Sequence, residues 1–380
     1  MAGNGTRGPL HGVRVVELVG QGPGPYGAML LADLGADVVA VDRIDVAARV
    51  DRQRTPTNPL MRGKRGVALD VKSPDDREVL LRLVDRADVF VDPFRPGVCE
   101  RLGLGPDVLS TRNPRLVYAR MTGWGQDGPW ATMAGHDLDY IALSGALHVI
   151  GYEGQPPTMP INLLGDFAGG GVMLAMGVSA ALVERNASGR GQTIDVAMVD
   201  GAAMILGPFF AATANGFWGP RGTNYLDGGA HFYNVYETAD GKWIAAGAIE
   251  PQFYAAFTGG LGLADDPLFA AERQMDRSIW AEAKRRVAEV VRSRPRADWE
   301  AVFDGTDACV APVLAPNEVA EHPHTAHRGV VTVINGVPQS QAAPRFSRTP
   351  ASAGTPSHPG QHGIDEILGD WARDQSSLND

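Results

Sequence analysis

The sequence predicts an α/β protein with a doubly wound large domain and a smaller α+β domain. The chain opens with a buried strand, a loop rich in glycine and proline, a helix and a second strand, which is how Rossmann-like sheets begin. Strand and helix patterns then alternate as far as residue 205, after which the composition shifts to glycine and aromatic residues. At 380 residues the chain is also long for a single core.

The first β–loop–α–β unit carries a glycine pattern with two interpretations. Gly22, Gly24 and Gly27 spell the GxGxxG of a dinucleotide-binding loop. Pro23 and Pro25, however, lack the backbone N–H groups that would hold a pyrophosphate. A nicotinamide-dependent dehydrogenase is therefore the minor alternative. The predicted elements are a strand at 12–18, the loop at 20–27, a helix at 28–36 and a strand at 37–43.

A basic segment follows this unit. Its seven cations are accompanied by only two acidic residues, Asp51 and Asp70, in a chain whose net charge is −10. Such a cluster indicates a site for a compact polyanion, whereas the alternative is a solvated, partly mobile loop. The cations are Arg49, Arg52, Arg54, Arg62, Lys64, Arg65 and Lys72.

The alternation continues through the rest of the large domain. Ser73 and Pro74 are helix start signals, and a strand follows that helix. The run RLVYARM predicts a further strand, which leads into the loop TGWGQDGPW. The uncharged run 167–183 is shorter than the ~20 residues of a membrane span, so we interpret it as a buried helix.

The smaller domain is predicted to differ in character from the large one. The large domain comprises 1–205 and is completed by 328–380, while 206–327 form a linker and the small domain. The short loop ADG between two strand-like runs predicts a hairpin. The predicted elements are strands at 231–238 and 242–249, then helices near 251–261, 277–293 and 297–303.

Composition limits the functional classes. A net charge of −10 disfavours a general nucleic-acid binder, which needs a basic surface. Cys99 and Cys309 are the two cysteines, and their separation indicates a reducing compartment without a disulfide framework. The start of the sequence lacks the apolar run of a secretory signal. We therefore expect a cytoplasmic protein without membrane or nucleic-acid partners.

The segment from Gly135 to Asp166 carries the candidate chemistry. His136 and Asp166 each stand next to glycine at the predicted start of a helix, and together they could act as proton acceptors on opposite sides of one carbon. Histidine can be base or acid near neutral pH. The structural alternatives are a hydrogen-bonded histidine and a helix-capping aspartate. No set of residues has the spacing of metal ligands, because Pro323 interrupts the histidines of EHPHTAHRG.

Two neighbours of His136 could complete this site. If Asp137 opens a helix, its backbone N–H lies at the positive end, where a developing enolate oxygen would be stabilised. Tyr140, one turn further on, could line the same pocket or pack in the core. Glu250 precedes Pro251 and reads as a helix-opening acid with an ordinary capping role.

Several motifs together resemble the family of class III coenzyme A transferases and α-methylacyl-CoA racemases. The resemblance runs from about Pro9 to Gly369, and the histidine of AGHD and the glutamate of GAIEPQFY are closer to the racemase branch. The motifs are GPGPYGAMLLADLGADVV, FRPGVCERLGLG, ARMTGWGQDGP, AGHDLDY, LLGDFAGGG, SGRGQTIDVAMVDG and APRFSRTP.

The resemblance implies roles for individual residues. Asp166 corresponds to a base in racemases and to an acyl-accepting carboxylate in transferases, and Glu250 to a residue that pairs with the histidine from the other subunit. It also implies an interlaced homodimer. Residues implied to bind coenzyme A are Arg43, Leu69, Val71, Lys72, Arg95 and Arg101.

These inferences predict an enzyme that epimerises 2-methylacyl-CoA thioesters by 1,1-proton transfer through an enolate. His136 would remove the proton from one epimer and Asp166 from the other. No metal or redox cofactor is expected, because coenzyme A is part of the substrate. The alternatives are a class III CoA-transferase that works through an aspartyl intermediate, and a non-catalytic acyl-CoA-binding protein.

Overall fold

The computed structural model describes residues 8–377, which form two compact units. Unit 1 contains the chain up to Ser144, the segment Pro160–Ile205 and the chain from His327 onward. Unit 2 contains Gly145–Met159 and Leu206–Ala326. The strands in chain order are β1 (Arg14–Leu18), β2 (Asp37–Asp42), β3 (Lys64–Ala68), β4 (Val89–Asp92), β5 (Val117–Thr122), β6 (Thr193–Ala197), β7 (Tyr233–Glu237), β8 (Trp243–Gly247), β9 (Val310–Pro312), β10 (Val331–Ile334) and β11 (Val337–Ser340).

Helices connect these strands in both units. The described chain also contains three separate short 3₁₀ helices and a fourth that leads directly into α12. The helices are α1 (Pro23–Asp33), α2 (Ile44–Ala47), α3 (Pro74–Val84), α4 (Val98–Arg101), α5 (Pro106–Arg112), α6 (Asp137–Leu143), α7 (Ala146–Val149), α8 (Met173–Ser188), α9 (Met198–Ile205), α10 (Gly207–Ala214), α11 (Pro251–Gly260), α12 (Trp280–Val291), α13 (Arg296–Phe303), α14 (Pro323–Arg328) and α15 (Ile364–Ser377).

Unit 1 is built on a parallel six-stranded sheet, which confirms the predicted α/β class. The strand order is β3-β2-β1-β4-β5-β6, and each neighbouring pair is parallel. From β1 the chain first adds strands on one side, β2 and β3, and then crosses to the other side of β1 to add β4, β5 and β6. In open α/β sheets, ligands bind outside the carboxyl ends of the strands at such a switch point. The antiparallel pair β10-β11 also belongs to this unit.

Both faces of the sheet are buried. Val15 of β1 lies in one apolar cluster with residues of α1 and α8, whereas its neighbour Val16 lies in a second cluster with residues of α3 and α15. Successive strand residues point to opposite faces. Helices therefore cover the sheet on both sides, which makes the large unit doubly wound.

Helix α1 begins earlier than the sequence suggested. We predicted a loop through residue 27, but the helix starts at Pro23, with proline in its first turn. Proline suits this position because its missing N–H would have no partner inside the helix. Gly22 precedes the helix with a φ of 58°, a value that favours glycine. The glycine and proline motif is thus a helix start rather than an extended loop.

The apolar run 167–183 forms part of a longer helix. A π-helix, Leu163–Val172, continues directly into α8. By length and composition alone, Leu163–Ser188 could cross a membrane, and 44% of its most apolar window is buried. Leu174 and Val178 are fully buried against the sheet, but Met176 and Val183 are exposed. The prediction of a buried helix is therefore correct for one side only.

Unit 2 has its own core and a three-stranded antiparallel sheet. The predicted hairpin is confirmed as β7 and β8, and β9 pairs with β8. Phe232, Tyr254 and Trp299 are among the buried residues that pack beneath it. The smaller unit therefore has the α+β architecture that the sequence predicted for this part of the chain.

The two units differ from the predicted domains mainly at 145–159, and His327 also falls in unit 1 and not in the small domain. We assigned 145–159 to the large domain, but this segment belongs to unit 2. The Arg221 guanidinium donates hydrogen bonds to the carbonyl oxygens of His148 and Gln155, at 2.7 Å and 2.6 Å. These contacts join residues more than 60 positions apart, so no local pattern reveals them.

The basic segment does not form one anion-binding surface. Arg62 and Lys64 are buried, and their partners are Asp33 and Glu17. Arg65 binds Asp37. A buried cation needs a fixed counter-charge, so Arg62 and Lys64 are committed to contacts inside the protein, and Arg65 is only partly exposed. The cations that remain exposed are Arg49, Arg52, Arg54 and Lys72.

Candidate active site

A cavity of about 400 Å³ lies at the carboxyl ends of β1, β4 and β5 in unit 1. The segments 20–24, 93–95 and 121–124, which follow or end these strands, line it. His136, Tyr140 and Asp166 line the same cavity. The site is therefore at the switch point of the sheet, where the strand order predicts a ligand.

His136 is the N-cap residue of α6, as the sequence predicted. Its backbone N–H donates to Oδ2 of Asp139 at 2.9 Å. This contact is half of a capping box and fixes the backbone of His136 at the start of α6. His136 is exposed and lines the cavity, while its backbone is held by this contact.

Asp166 lies in the first turn of the π-helix, three residues after that helix begins. The prediction that it caps a helix is therefore wrong, because the N-cap residue is Asn162. The Asn162 side-chain amide donates to Oδ2 of Asp166 at 3.0 Å. A side chain at position 22 would place its Cβ 3.1 Å from the same oxygen. Gly22 and Asn162 thus confine the carboxylate next to the start of α1.

Asp137 is buried beneath the two candidate bases. Its Oδ1 accepts the backbone N–H of Asp166 at 2.6 Å. Burial raises the pKa of the Asp137 carboxyl; the hydrogen bond from the Asp166 N–H opposes this, and the nearby Asp166 charge adds to it. The Asp137 side chain therefore supports Asp166, while its own backbone begins α6.

Tyr140 forms a wall of the cavity and also packs in the core. Its hydroxyl donates to the carbonyl oxygen of Gly135, and its ring meets Trp124 edge-on with centroids 4.7 Å apart. Burial raises the pKa of Tyr140 to about 12, with the charge of Asp166 as the next cause. The phenol therefore stays protonated near neutral pH and serves to hold the residue before His136.

Glu250 is not among the residues that line this cavity. It is the N-cap residue of α11 and is exposed, but it belongs to unit 2, whereas His136 and Asp166 belong to unit 1. Within the described chain, the structure brings together His136, Asp137, Tyr140 and Asp166.

The residues implied to bind coenzyme A follow the carboxyl ends of neighbouring strands. Arg95 comes after β4 and lines the cavity, Arg43 comes after β2, and Leu69 comes after β3. A second cavity, of about 650 Å³, is lined by Ile44 and Ala68, the chain neighbours of Arg43 and Leu69. The two cavities therefore lie along one edge of the sheet.

The remaining three of these residues lie near the same edge. Val71 and Lys72 follow Leu69 in the turn that precedes α3, with Lys72 exposed. Arg101 ends α4, and its Nη1 would be 3.1 Å from a Cβ at position 97. Arg43 is exposed and binds Asp45 at 2.6 Å. An anionic ligand would therefore have to compete with Asp45 for Arg43.

The model of CoA-transferase family III matches residues 10–363. The chain belongs to CoA-transferase family III. Its relatives include the α-methylacyl-CoA racemase of Mus musculus, 46% identical over 97% of this chain and 95% of that protein. The α-methylacyl-CoA racemase of Homo sapiens is 47% identical over 94% of this chain and 92% of that protein.

The fold of this family III chain also matches a solved structure. A CAIB/BAIF family protein from Brucella suis superposes with a TM-score of 0.80 at 25% identity, over 96% of this chain and 100% of that one. The two-unit α/β architecture is therefore an architecture of the family. It also leaves the dehydrogenase interpretation of the first glycines without support.

Sequence reasoning missed several residues that shape the family III site. Asn162 was not considered, although it holds the Asp166 carboxylate. Pro93 and Met198 line the cavity but lie in segments that read as ordinary strand and helix ends. The conspicuous motifs GPGPYG and TGWGQDGP contained a usable signal, because both supply cavity walls. Their glycine and tryptophan content marked them as loops without showing that they converge.

Proposed function

We propose that this protein is an α-methylacyl-CoA racemase that inverts the carbon next to the thioester carbonyl of a 2-methylacyl-CoA. The observation that supports this most strongly is that His136 and Asp166, from separate segments, line one cavity. Two proton acceptors around a bound carbon are what a 1,1-proton transfer requires. The racemases that resemble the chain over nearly its full length support the same reaction.

In the proposed reaction, one base removes the α-proton and the electron pair of the C–H bond moves into the thioester as an enolate. The other base then delivers a proton to the opposite face of the planar carbon. His136 serves one epimer and Asp166 the other, so each is acid in one direction and base in the other. The backbone N–H of Asp137, at the start of α6, is assigned to the enolate oxygen.

Both proton transfers use side chains of this chain, and the coenzyme A handle is part of the substrate. We therefore assign no metal or redox cofactor to the reaction. The acyl thioester would occupy the cavity at β1, β4 and β5, and the nucleotide would extend toward β3. Neighbouring strands are about 4.8 Å apart, so β4 and β3 are separated by roughly 14 Å, a span that pantetheine can bridge. Remote binding energy from this handle would position the reacting carbon.

We further propose that the enzyme is an interlaced homodimer of the cytoplasm, without membrane or nucleic-acid partners. Unit 1 exposes apolar side chains on three successive helical segments, including Leu143 of α6, Val172 of the π-helix and Val183 of α8. A second copy of the chain would bury this surface. The same arrangement would supply Glu250 of one chain to His136 of the other, where its charge would favour the imidazolium.

The reaction is tested by proton NMR of a single-epimer 2-methylacyl-CoA in deuterated water, without an acceptor acid. We expect the α-proton signal to disappear while the second epimer accumulates. A class III transferase would leave the α-proton in place and move coenzyme A only after a free carboxylic acid is added, with Asp166 as nucleophile. A binding protein would bind the thioester and do neither.

The shared site is tested by complementation. Co-expression of the His136→Ala and Glu250→Ala chains should restore about a quarter of wild-type activity, since random pairing in a two-fold dimer gives half heterodimers with one intact site each. Co-expression of His136→Ala with Asp166→Ala is the matched control and should restore nothing, because both residues lie in unit 1. Equal recovery in both mixtures, or none in the first, would contradict the shared site.

A further inference from the structure

The carboxylate of Asp137 connects the two candidate bases. Asp137 follows His136 directly in the chain, and its Oδ1 accepts the backbone N–H of Asp166 across 29 positions at 2.6 Å. The residue is only 5% exposed. Among the described residues, its second oxygen, Oδ2, is buried and has no hydrogen-bond partner. One side chain thus spans the gap between the segments that carry the bases.

The approach of these segments depends on glycine at position 165. A Cβ there would lie 2.7 Å from Oδ1 of Asp137 and 3.2 Å from a side-chain carbon of Ile141. Any larger residue would have to push the Asp137 carboxylate or the Ile141 side chain away. Gly165 therefore makes room for the hydrogen bond from the adjacent Asp166 amide.

A capping role alone does not account for this arrangement. A buried carboxylate oxygen without a partner costs free energy, and a neutral acceptor such as serine or asparagine would satisfy an N–H at the start of a helix at lower cost. The charge of Asp166 also makes a second carboxylate nearby unfavourable. The contact therefore stabilises a particular geometry at the expense of stability, as functional sites often do.

We infer that Asp137 is a positioning residue, whose side chain sets the place of Asp166 relative to His136. This inference rests on the proposed epimerase function and adds a side-chain role to the one proposed for the Asp137 backbone. His136 has a separate support, the hydrogen bond between its backbone N–H and Asp139. Loss of the Asp137 carboxylate should therefore displace Asp166 more than His136.

This asymmetry can be measured, because each base also exchanges the proton it removes with solvent and can return it to the same face. We would follow deuterium incorporation with retention, and with inversion, from each pure epimer of a 2-methylacyl-CoA. The variants are Asp137→Ala, Asp137→Asn, which keeps one acceptor oxygen, and Gly165→Ala, which keeps both carboxylates. Asp266→Ala is the matched control, because its carboxylate accepts the backbone N–H of Leu268 at 2.9 Å in unit 2.

In Asp137→Ala and Gly165→Ala, we expect kcat for inversion to fall on the order of 100-fold, since a misplacement of about 1 Å has effects of this size. KM should stay close to wild type. Exchange with retention should persist from the epimer that His136 serves and fall from the other. Asp137→Asn should recover most of the rate, and Asp266→Ala should match wild type.

Three results separate the inference from the proposed function. Wild-type kcat in Asp137→Ala, or an equal loss of exchange from both epimers in Asp137→Ala and Gly165→Ala, would overturn the positioning role. Absence of exchange and inversion in the wild-type protein would instead overturn the epimerase function itself. If Asp137→Ala does not fold, Gly165→Ala and Asp137→Asn decide the matter on the same readout.

Discussion

Replacing His136 with alanine is expected to lower the rate of epimerisation by roughly 10²–10⁴-fold in both directions, the usual contribution of a positioned acid–base group. Both directions are affected because each needs one base to remove the proton and the other to deliver one. Exchange with retention should survive from the epimer that Asp166 serves. The measurement is proton NMR of each pure epimer in deuterated water.

The control for this substitution is another exposed histidine. His324 lies on α14 and does not line the cavity, so His324→Ala should retain the wild-type rate. Inversion at the wild-type rate in His136→Ala would remove the histidine from the mechanism. Loss of inversion with intact CoA transfer to an added acid would move the protein to the transferase branch of its family, where Asp166 acts without a histidine.

The second large effect concerns stability and the ion pair between Lys64 and Glu17. The Lys64 Nζ lies 2.6 Å from Oε2 of Glu17, and both side chains are fully buried. Burial lowers the pKa of Lys64 and raises that of Glu17, against the mutual attraction of the pair. Lys64→Met should reduce the free energy of unfolding by about 3–5 kcal/mol, because it leaves an uncompensated buried carboxylate. Urea denaturation followed by circular dichroism measures this loss.

A double substitution tests the physical reason for that loss. Lys64→Met combined with Glu17→Leu should recover much of the lost stability, since burying two apolar side chains avoids both desolvation costs. Arg285→Met, in a pair whose side chains are more than half exposed, should change the free energy of unfolding far less than Lys64→Met, because water screens the attraction. Equal effects in Lys64→Met and Arg285→Met would contradict a buried ionic contact.

Lys64 also contacts the backbone of α1, the helix whose start lies beside the cavity. The Lys64 Nζ donates a second hydrogen bond to the carbonyl oxygen of Pro25, at 2.9 Å, in the first turn of α1. The residues just before that turn, Gly22 among them, line the catalytic cavity. Lys64 thus contributes to the site by fixing the start of α1 and not by direct contact with an anionic ligand.

Local patterns in the sequence predicted the elements well and their exact ends less well. The alternation of strands and helices identified the sheet because a parallel strand buried on both faces has a continuous apolar run. His136 was placed correctly at a helix start, since the capping signal lies within four residues of it. The expected N-cap, Asp166, lies four residues after the observed one, Asn162. The glycines of the π-helix pack against α1 and α9, because a Cβ at Gly169 or Gly171 would collide with backbone atoms of those helices. Such long-range packing leaves no local signal in the sequence.

By itself, the sequence determined the α/β class, the family and the two side chains, His136 and Asp166, whose chemistry fits proton transfer. These depend on residue type and on spacings of a few positions, which the chain carries locally. Only the tertiary structure decided that both side chains line one cavity, that Asp137 holds the Asp166 amide, and that Arg62 and Lys64 are buried. Such contacts join segments tens of residues apart, and their energies come from burial and hydrogen bonding that exist only after the chain has folded.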